Sequence, residues 1–427
     1  MLNLIKNIFK TNLFKVTSLN SVSVLVRIAG GLLASVMTAR FLGPSGMALT
    51  GNLRNFLTSV DTFSILGFQN GIIKYTAENA AEEQRLFRTL GTVFISILIT
   101  ILLFSVALFF PALLWSKWIL KTEEYAWVFR VLALSLPWYT GNLIFIAVLN
   151  GLGKYRQVVS INIWGNIVGV LLSALLIWKF GVPGAFLGLI LYPSIMFFLS
   201  FYLLYRIFPR LPFLRWKHFD RKVLKGLFSY SGMALISALL GPVIYLSIRN
   251  NLIEVFGDHE AGYWEAMNRI SSFYLLFVST LLTLYFLPGL SQAKTPTETR
   301  SVFRSYYRGI VPVFAFGLIV IYFLKNFIIR TVLSDEFLPM QNLFIWQLSG
   351  DFLKVCSLIL GYELLAKKHI KIFIITEIMS FAILYVSASY FASLYASEGA
   401  VMAHLLTYSV YLAVLAGYFR KQLFLIS

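Results

Sequence analysis

The chain has 427 residues, of which 59% are hydrophobic and only 13% are charged, and its net charge is +18 at pH 7. Soluble domains carry about 25% charged residues, so this composition excludes an ordinary soluble protein. Its apolar runs of roughly twenty residues exclude a transmembrane β-barrel, whose strands alternate over about ten residues. The single cysteine, Cys356, excludes an intramolecular disulfide.

The predicted fold class is an all-α polytopic membrane protein, because the apolar runs match the length of membrane-spanning helices. A helix needs about 20 residues to cross the hydrocarbon core, and twelve segments meet this requirement. The predicted spans are 17–40, 46–75, 88–114, 126–149, 156–178, 182–206, 229–253, 261–288, 307–330, 339–366, 370–392 and 399–419.

The distribution of Lys and Arg predicts the orientation of these spans. With the N-terminus inside, the inner segments carry 23 of the 36 Lys and Arg residues, and the outer segments carry six. Cytoplasmic loops are the positive ones, so both termini are expected in the cytoplasm. The net charge therefore reports topology and contact with anionic lipid of the inner leaflet, and nucleic acid is not an expected partner.

The longest inner loop predicts the domain organisation. Residues 207–228 are basic and aromatic, which favours a cytoplasmic linker with a helix on the membrane surface. An attraction to anionic lipid head groups is the functional alternative for this loop. The linker separates a predicted N-terminal six-helix bundle, 1–206, from a C-terminal six-helix bundle, 229–427.

The two halves show signs of an internal repeat. The sequence GPSGMALTGNLRN follows span 1 and DHEAGYWEAMNRI follows span 7, and their alignment places Asn52 on Asn268, an offset of 216. After spans 4 and 10, Lys154 and Lys368 lie 214 apart. An even number of spans in each half predicts repeats of the same orientation, related by an axis along the membrane normal.

Charged side chains inside the predicted spans are the strongest functional signal. Each costs about 2.5–3.5 kcal/mol at a helix centre, and such residues usually mark a substrate or ion pathway. Depth along the helices places five of them near the membrane midplane: Arg27, Arg54, Arg269, Asp351 and Lys354. Four others lie near span ends, where they are expected to snorkel to water: Lys74, Arg130, Arg249 and Glu363.

These charges have two interpretations. They could be structural salt bridges, because Asp351 and Lys354 are spaced i, i+3 and Glu265 and Arg269 are spaced i, i+4. The excess of seven intramembrane cations over five acids instead favours a cavity for an anion. Arginine presents a planar fork that suits phosphate oxygens, so a phosphate or pyrophosphate is the expected anion.

Polar stripes predict what else lines this cavity. Gln347, Asp351 and Lys354 share one face of span 10, and Asn52, Asn55 and Ser59 share one face of span 2. Amide and hydroxyl groups suit sugar hydroxyls, although polar contacts between helices would look identical in the sequence. The segment GFQNG, 67–71, predicts a break near the end of span 2.

Three buried acids are candidates for carrying a coupling ion, H⁺ or Na⁺. Asp61, Asp351 and Glu377 lie inside predicted spans, and a buried carboxyl group binds a proton more readily than an exposed one unless a cation pairs with it. The four histidines are scattered, and the chain has no GxxxxGK[ST] phosphate loop. No metal, nucleotide or other cofactor and no enzymatic activity are therefore expected.

Three sequence blocks carry a resemblance to a known family: GPSGMALTGNLRNFLT, GFQNGIIKY and LSDEFLPMQNLFIWQLSGDFLKV. They resemble the Wzx-type flippases of the multidrug/oligosaccharidyl-lipid/polysaccharide (MOP) exporter superfamily, in the branch of enterobacterial common antigen lipid III flippases and O-antigen translocases. The resemblance covers essentially the whole chain and is densest at 40–80 and 333–370. It implies a MATE-like fold with two six-helix bundles that face each other across a cavity.

The resemblance also implies a function. Members of this family move a short oligosaccharide on undecaprenyl pyrophosphate from the cytoplasmic to the periplasmic leaflet of the bacterial inner membrane, for O-antigen or enterobacterial common antigen biosynthesis. A polysaccharide polymerase and a chain-length regulator are the expected protein partners. The positions that match the family motifs are Arg54 with Asn52, Lys74, and Asp351 with Lys354.

Residues and resemblance together give one mechanistic hypothesis. The cavity opens inward, Arg27, Arg54 and Arg269 receive the pyrophosphate, the sugars occupy the polar interior and the prenyl tail stays in lipid while the halves rock. A drug/cation antiporter of the same superfamily is the alternative, although its cavity should favour acids. A membrane glycosyltransferase or polymerase is a further alternative, which expects a large outer loop or a soluble catalytic segment.

Overall fold

The computed structural model describes residues 12–209 and 218–423, and every regular element among them is helical. Lipid offers no hydrogen-bond partners to the backbone, so apolar runs of this length fold into helices that satisfy their own amide groups. The helices in chain order are α1 (Asn12–Ser64), α2 (Gln69–Asn79), α3 (Glu83–Phe109), α4 (Ala112–Leu120), α5 (Ala126–Gly151), α6 (Tyr155–Phe180), α7 (Val182–Tyr205), α8 (Arg221–Phe256), α9 (Asp258–Leu281), α10 (Leu287–Gln292), α11 (Pro296–Phe323), α12 (Lys325–Val332), α13 (Leu343–Ala366), α14 (Ile370–Tyr418) and α15 (Arg420–Leu423).

The helices confirm the predicted all-α polytopic class. Nine helical stretches of the described residues are long and apolar enough to cross a membrane. Two long helices are interrupted inside, α1 at Gly43 and α14 at Tyr395 and Ala396. The helix α14 contains the last two predicted spans almost completely, whereas α1 contains the first predicted span and the larger part of the second. The count of twelve spans and the cytoplasmic position of both termini stay predictions.

The GPSG motif redirects the chain within α1. Gly43 has a φ of +61°, and a Cβ atom there would lie 2.7 Å from Oε2 of Glu336. Glycine is favoured at such a position because it adopts a positive φ without steric cost. Pro44 follows, and its missing N–H costs nothing at the start of a new helical segment. The predicted break near GFQNG is also present, because residues 65–68 separate α1 from α2 and Gly67 has a φ of +67°.

The described residues form two compact units, and neither unit is continuous in sequence. The first unit comprises the described parts of Met1–Met37 and Asn52–Pro242. The second comprises Thr38–Gly51 and the described part of Val243–Ser427. This arrangement arises because α1 and α8 are long helices whose residues are divided between the units. We call Thr38–Gly51 the crossing segment.

The predicted division treats each half of the chain as one block, 1–206 and 229–427, joined by the linker 207–228. Each compact unit contains segments from both sides of this linker, and the two predicted six-helix bundles stay a prediction. Within the predicted linker, residues 210–217 lie outside the described residues, and α8 already begins at Arg221.

The crossing segment is held in the second unit by packing and hydrogen bonds. Arg40 donates from Nε to the carbonyl of Leu333 at 3.2 Å and from Nη2 to that of Thr331 at 2.5 Å. A Cβ atom on Gly262 would lie only 2.1 Å from the carbonyl oxygen of Pro44, so the two backbones touch. The buried apolar side chains of the crossing segment pack into the hydrophobic core of the second unit, and they are Ala39, Met47 and Ala48.

The backbone agrees with the internal repeat that the sequence predicts. Three residues with positive φ in the first half recur 214 or 215 positions later: Gly43 with Gly257, Gly153 with Lys368, and Gly181 with Ala396. The last pair matches in both angles, with φ 62° and ψ −134° at Gly181 and φ 49° and ψ −131° at Ala396. Turns that recur at one interval are what parallel repeats produce.

Candidate functional site

A buried polar network surrounds Asp351 in α13, inside the second unit. Its carboxylate is fully buried and accepts hydrogen bonds from two hydroxyl groups of α9, Ser271 at 2.6 Å and Tyr274 at 2.5 Å. Nε2 of Gln347 donates to it from one turn away at 3.2 Å. Nε2 of His404 in α14 lies 2.9 Å from its other oxygen. The carboxylate therefore ties three helices together.

Close helix packing makes this network possible. A Cβ atom on Gly350 would lie 2.5 Å from Cδ2 of His404 and 3.1 Å from the backbone of Leu405. Glycine at this position thus lets α14 approach α13 closely enough for His404 to reach Asp351. An unpaired polar group in such a place would be costly, so the contact is expected to fix the packing of these helices.

A second set of charges lies beside this network. The Lys354 ammonium sits 4.9 Å from the centre of the Tyr408 ring. The Tyr411 hydroxyl donates to Glu377 at 3.1 Å, and Lys354 lies within electrostatic reach of both Glu377 and Asp351. The predicted pairing of Asp351 with Lys354 is therefore not its closest contact with a basic side chain, because Nε2 of His404 lies 2.9 Å from Asp351.

Two guanidinium groups flank one carboxylate elsewhere in the second unit. Glu265 is buried and accepts a hydrogen bond from Nη2 of Arg249, which is only 1% exposed. The Arg249 guanidinium also lies 5.4 Å from the centre of the Trp264 ring. On the same face of α9, Nε of Arg269 is 4.0 Å from the other carboxylate oxygen. The cluster carries a formal charge of +1.

Arg269 is the most accessible member of this cluster. Its Nε is buried without a hydrogen bond in the described structure, and the side chain is 22% exposed. The predicted i, i+4 contact with Glu265 is confirmed. The expectation that Arg249 snorkels to water is wrong, because that side chain is buried against Glu265 and Trp264. The position of Arg249 along its predicted span gives its depth in the membrane but not the direction in which its side chain points.

The first unit has a smaller polar contact. Asp61 in α1 accepts a hydrogen bond from the Tyr139 hydroxyl of α5 at 2.6 Å. The Tyr192 hydroxyl of α7 lies within electrostatic reach of both Asp61 and Arg54, and Arg54 is half-buried. These side chains bring together two predicted residues, Asp61 and Arg54, with two tyrosines that the sequence did not single out.

The remaining predicted site residues lie in three different environments. Asn52 is fully buried, and its amide donates to the carbonyl of Ile119 in α4 at 2.8 Å. Lys74 is exposed on α2 and forms an i, i+4 ion pair with Glu78 at 3.5 Å. Arg27 is exposed on α1. Asn52 thus fastens two helices, whereas Arg27 and Lys74 remain accessible.

Helical stretches of membrane-spanning length among the described residues, together with charged side chains buried in the second unit, define a multi-pass helical membrane protein. A family model described as "Polysaccharide biosynthesis protein" matches residues 13–294. The chain is also 30% identical over 416 residues to the lipid III flippase of Escherichia coli (strain K12), a match that covers 96% of this chain and 98% of that one. The chain belongs to the polysaccharide biosynthesis protein family.

Solved structures share the fold. An inward-facing multidrug resistance MATE family transporter of the MOP superfamily matches with a TM-score of 0.76 at 13% identity, covering 94% of this chain and 95% of that chain. The lipid II flippase MurJ in an inward closed conformation matches with a TM-score of 0.72 at 16% identity, covering 96% and 90%. At these identities the likeness establishes the MATE-like fold, as predicted.

Proposed function

We propose that this protein is a flippase that moves a lipid-linked oligosaccharide across the membrane. The observation that carries the proposal is the 30% identity to a lipid III flippase along 96% of the chain. A match of this length spans both compact units. In this proposal the protein is a transporter and not an enzyme.

The proposal also specifies the transported substrate and the membrane in which transport occurs. The cargo is an oligosaccharide on undecaprenyl pyrophosphate, moved by alternating access from the cytoplasmic to the periplasmic leaflet of the bacterial inner membrane. The translocated oligosaccharide is used for O-antigen or enterobacterial common antigen assembly. A polysaccharide polymerase and a chain-length regulator are the partners in this assembly. The positive Arg249–Glu265–Arg269 cluster supports an anionic cargo, because guanidinium groups bind pyrophosphate oxygens through charge-assisted hydrogen bonds.

Coupling to an H⁺ or Na⁺ gradient is the remaining part of the proposal. Asp351 is the first candidate, because its carboxylate is fully buried and is the centre of a hydrogen-bonded network that includes His404. Asp61 and Glu377 are the other two, and each accepts a hydrogen bond from a tyrosine. Asp351→Asn in vesicles with an imposed gradient tests this part, because the amide keeps an acceptor but cannot take up a proton or bind Na⁺ as a charged ligand.

The direct test is a flipping assay in inverted membrane vesicles with a fluorescent undecaprenyl-pyrophosphate oligosaccharide. The lipid starts in the outward-facing cytoplasmic leaflet, and its loss from that leaflet is followed by protection from a membrane-impermeant quencher. Vesicles that contain the protein should protect the label, and empty vesicles should not. Extrusion of cationic drugs without movement of the labelled lipid would replace the proposal with the antiporter alternative.

A further inference from the structure

Three arginines line a pocket at one end of α11. Arg300, Arg304 and Arg308 follow one another at intervals of one helical turn, so they share a face of the helix. That face borders a pocket of about 390 Å³, which Gln422 and Leu423 of the short helix α15 close on the other side. Among the described residues that line this pocket, none is acidic.

The guanidinium groups of these three arginines still have N–H donors available for a ligand. Arg300 donates from Nη2 to the carbonyl of Leu423 at 3.1 Å, which leaves its other donors for a ligand. Arg304 and Arg308 are exposed, and no carboxylate of the described residues lies within ion-pair distance of either. Oε1 of Gln422 is buried and has no hydrogen-bond partner among the described residues. An anion with neighbouring hydroxyl groups would satisfy both kinds of group.

Two tyrosines hold this face in position. The hydroxyl of Tyr306 donates to the carbonyl of Val355 at 2.9 Å, and that of Tyr307 donates to the carbonyl of Cys356 at 2.7 Å. Both bonds fasten α11 to α13. The arginine face is therefore set on a rigid scaffold, and a ligand there does not have to order a loop.

The pocket lies where a membrane protein meets the lipid head groups. Residues 309–324, which follow Arg308, contain no charged side chain, so the hydrocarbon region begins directly beyond the last arginine. The residues before Arg300 include a capping box, in which Thr295 and Glu298 satisfy each other's backbone amides at the helix start. The distribution of Lys and Arg predicts that this end of α11 faces the cytoplasm.

A second basic pocket adjoins the first and shares Gln422 with it. This pocket, of about 640 Å³, is lined by the cationic side chains Lys294, Lys367, Arg420 and Lys421, and Glu363 is the one acid among the described residues that line it. Lys367 is tied to the carbonyl of Ala293, so the wall of the pocket is also fixed. Basic pockets between helices on the cytoplasmic side are suited to phospholipids with more than one phosphate.

We infer that the pair of pockets binds an anionic phospholipid of the cytoplasmic leaflet, with one phosphate on Arg300, Arg304 and Arg308 and the second phosphate of a two-phosphate lipid in the adjoining pocket. The acyl chains extend along the apolar continuation of α11. This site holds a resident lipid and is separate from the Arg249–Glu265–Arg269 cluster, so the inference does not depend on the proposed transport activity.

Native mass spectrometry of the full chain in detergent tests the inference, with cardiolipin as the two-phosphate probe and phosphatidylethanolamine as the zwitterionic comparison. The double variant Arg304→Gln, Arg308→Gln should weaken cardiolipin binding roughly 30-fold, because each cation near the membrane surface raises the affinity for an anionic lipid about five- to six-fold. The matched control is Lys154→Gln with Arg156→Gln, two exposed cations at the start of α6 that line neither pocket. That control should bind as the wild type does.

Two further measurements distinguish binding of this lipid from binding of other phosphate compounds. Arg304→Lys with Arg308→Lys keeps the charge and should recover only part of the affinity, because lysine lacks the bidentate fork. Inorganic pyrophosphate should displace cardiolipin poorly. Equal cardiolipin binding by wild type and the glutamine double variant overturns the inference, provided that both unfold at the same temperature. So does undecaprenyl pyrophosphate binding to this site in place of cardiolipin.

Discussion

His404 and Asp351 come from different helices, and their side chains meet at 2.9 Å inside a fully buried polar network. The residues are 53 positions apart in the chain, and the contact exists because Gly350 lets α14 pack closely on α13. Ser271 and Tyr274 complete the shell around the carboxylate from α9. One acidic group therefore decides how three helices of the second unit are arranged.

The first prediction follows from the number of groups that depend on this carboxylate. Asp351→Ala should lower the free energy of unfolding by several kcal/mol, because each buried donor left without an acceptor costs about 1–3 kcal/mol. Thermal unfolding in detergent measures the effect. Asp335→Ala is the matched control, since Asp335 is exposed and its pair with Arg330 should contribute at most about 1 kcal/mol. Equal melting temperatures for the two variants would contradict the structural role of Asp351.

The second prediction concerns the carboxylate between two guanidinium groups. Glu265→Gln should destabilise the protein by about 3–5 kcal/mol, because it leaves the buried Arg249 charge without its partner. The double change Glu265→Gln, Arg249→Leu should recover part of this loss, because it removes the stranded charge. Thermal unfolding of both variants checks the coupling. Additive losses in the double variant would show that the two side chains do not act as a pair.

The third prediction separates binding from folding in the same cluster. Arg269→Gln removes the partly exposed guanidinium and leaves the Arg249–Glu265 pair intact, so the melting temperature should change little. Flipping of the labelled lipid should fall by roughly 10-fold to 100-fold at low substrate, because a hydrogen bond to a charged group contributes about 1.5–3 kcal/mol. Arg330→Gln, an exposed arginine of α12, is the control. Wild-type flipping by Arg269→Gln would remove this residue from the anion site.

The fourth prediction uses the match between Gly181 and Ala396. Ala396 has a φ of 49° and a ψ of −131°, a region of backbone conformation occupied almost only by glycine, where other residues cost about 1–3 kcal/mol. Ala396→Gly should therefore raise the free energy of unfolding by about 1 kcal/mol or more. Ala392→Gly, one turn earlier within the helix, should lower it by about 0.5–1 kcal/mol. A melting temperature that falls in both variants would mean that Ala396 carries no strain.

Sequence patterns predicted the class of fold well because they report properties of single segments. Length and hydropathy locate a helix, and glycines such as Gly43 and Gly67 mark its breaks. The interval between Asn52 and Asn268 predicted a repeat, which the backbone turns also follow. Each of these features is local, or is a comparison of two local features, so no knowledge of packing was required.

The partners of the buried charges were not predictable in the same way. Hydropathy gives the depth of Arg249 but not the direction in which its side chain turns, so burial against Glu265 could not be distinguished from snorkelling. His404 and Asp351 meet only because two helices pack at a particular rotation. A glycine directly before Asp351 was the one available signal of close approach, and it becomes informative only when the facing helix is known.

The crossing segment has a consequence for how this protein is made. During translation, Thr38–Gly51 leaves the ribosome long before the residues that it packs against, which include Gly262 and the carbonyl groups of Thr331 and Leu333. Until most of the later helices have been inserted, the hydrogen-bond donors of Arg40 must therefore be satisfied by water or by lipid head groups. Maturation of the second unit is thus a late, post-insertional step, and a nascent chain halted near residue 300 should still expose this segment to proteases.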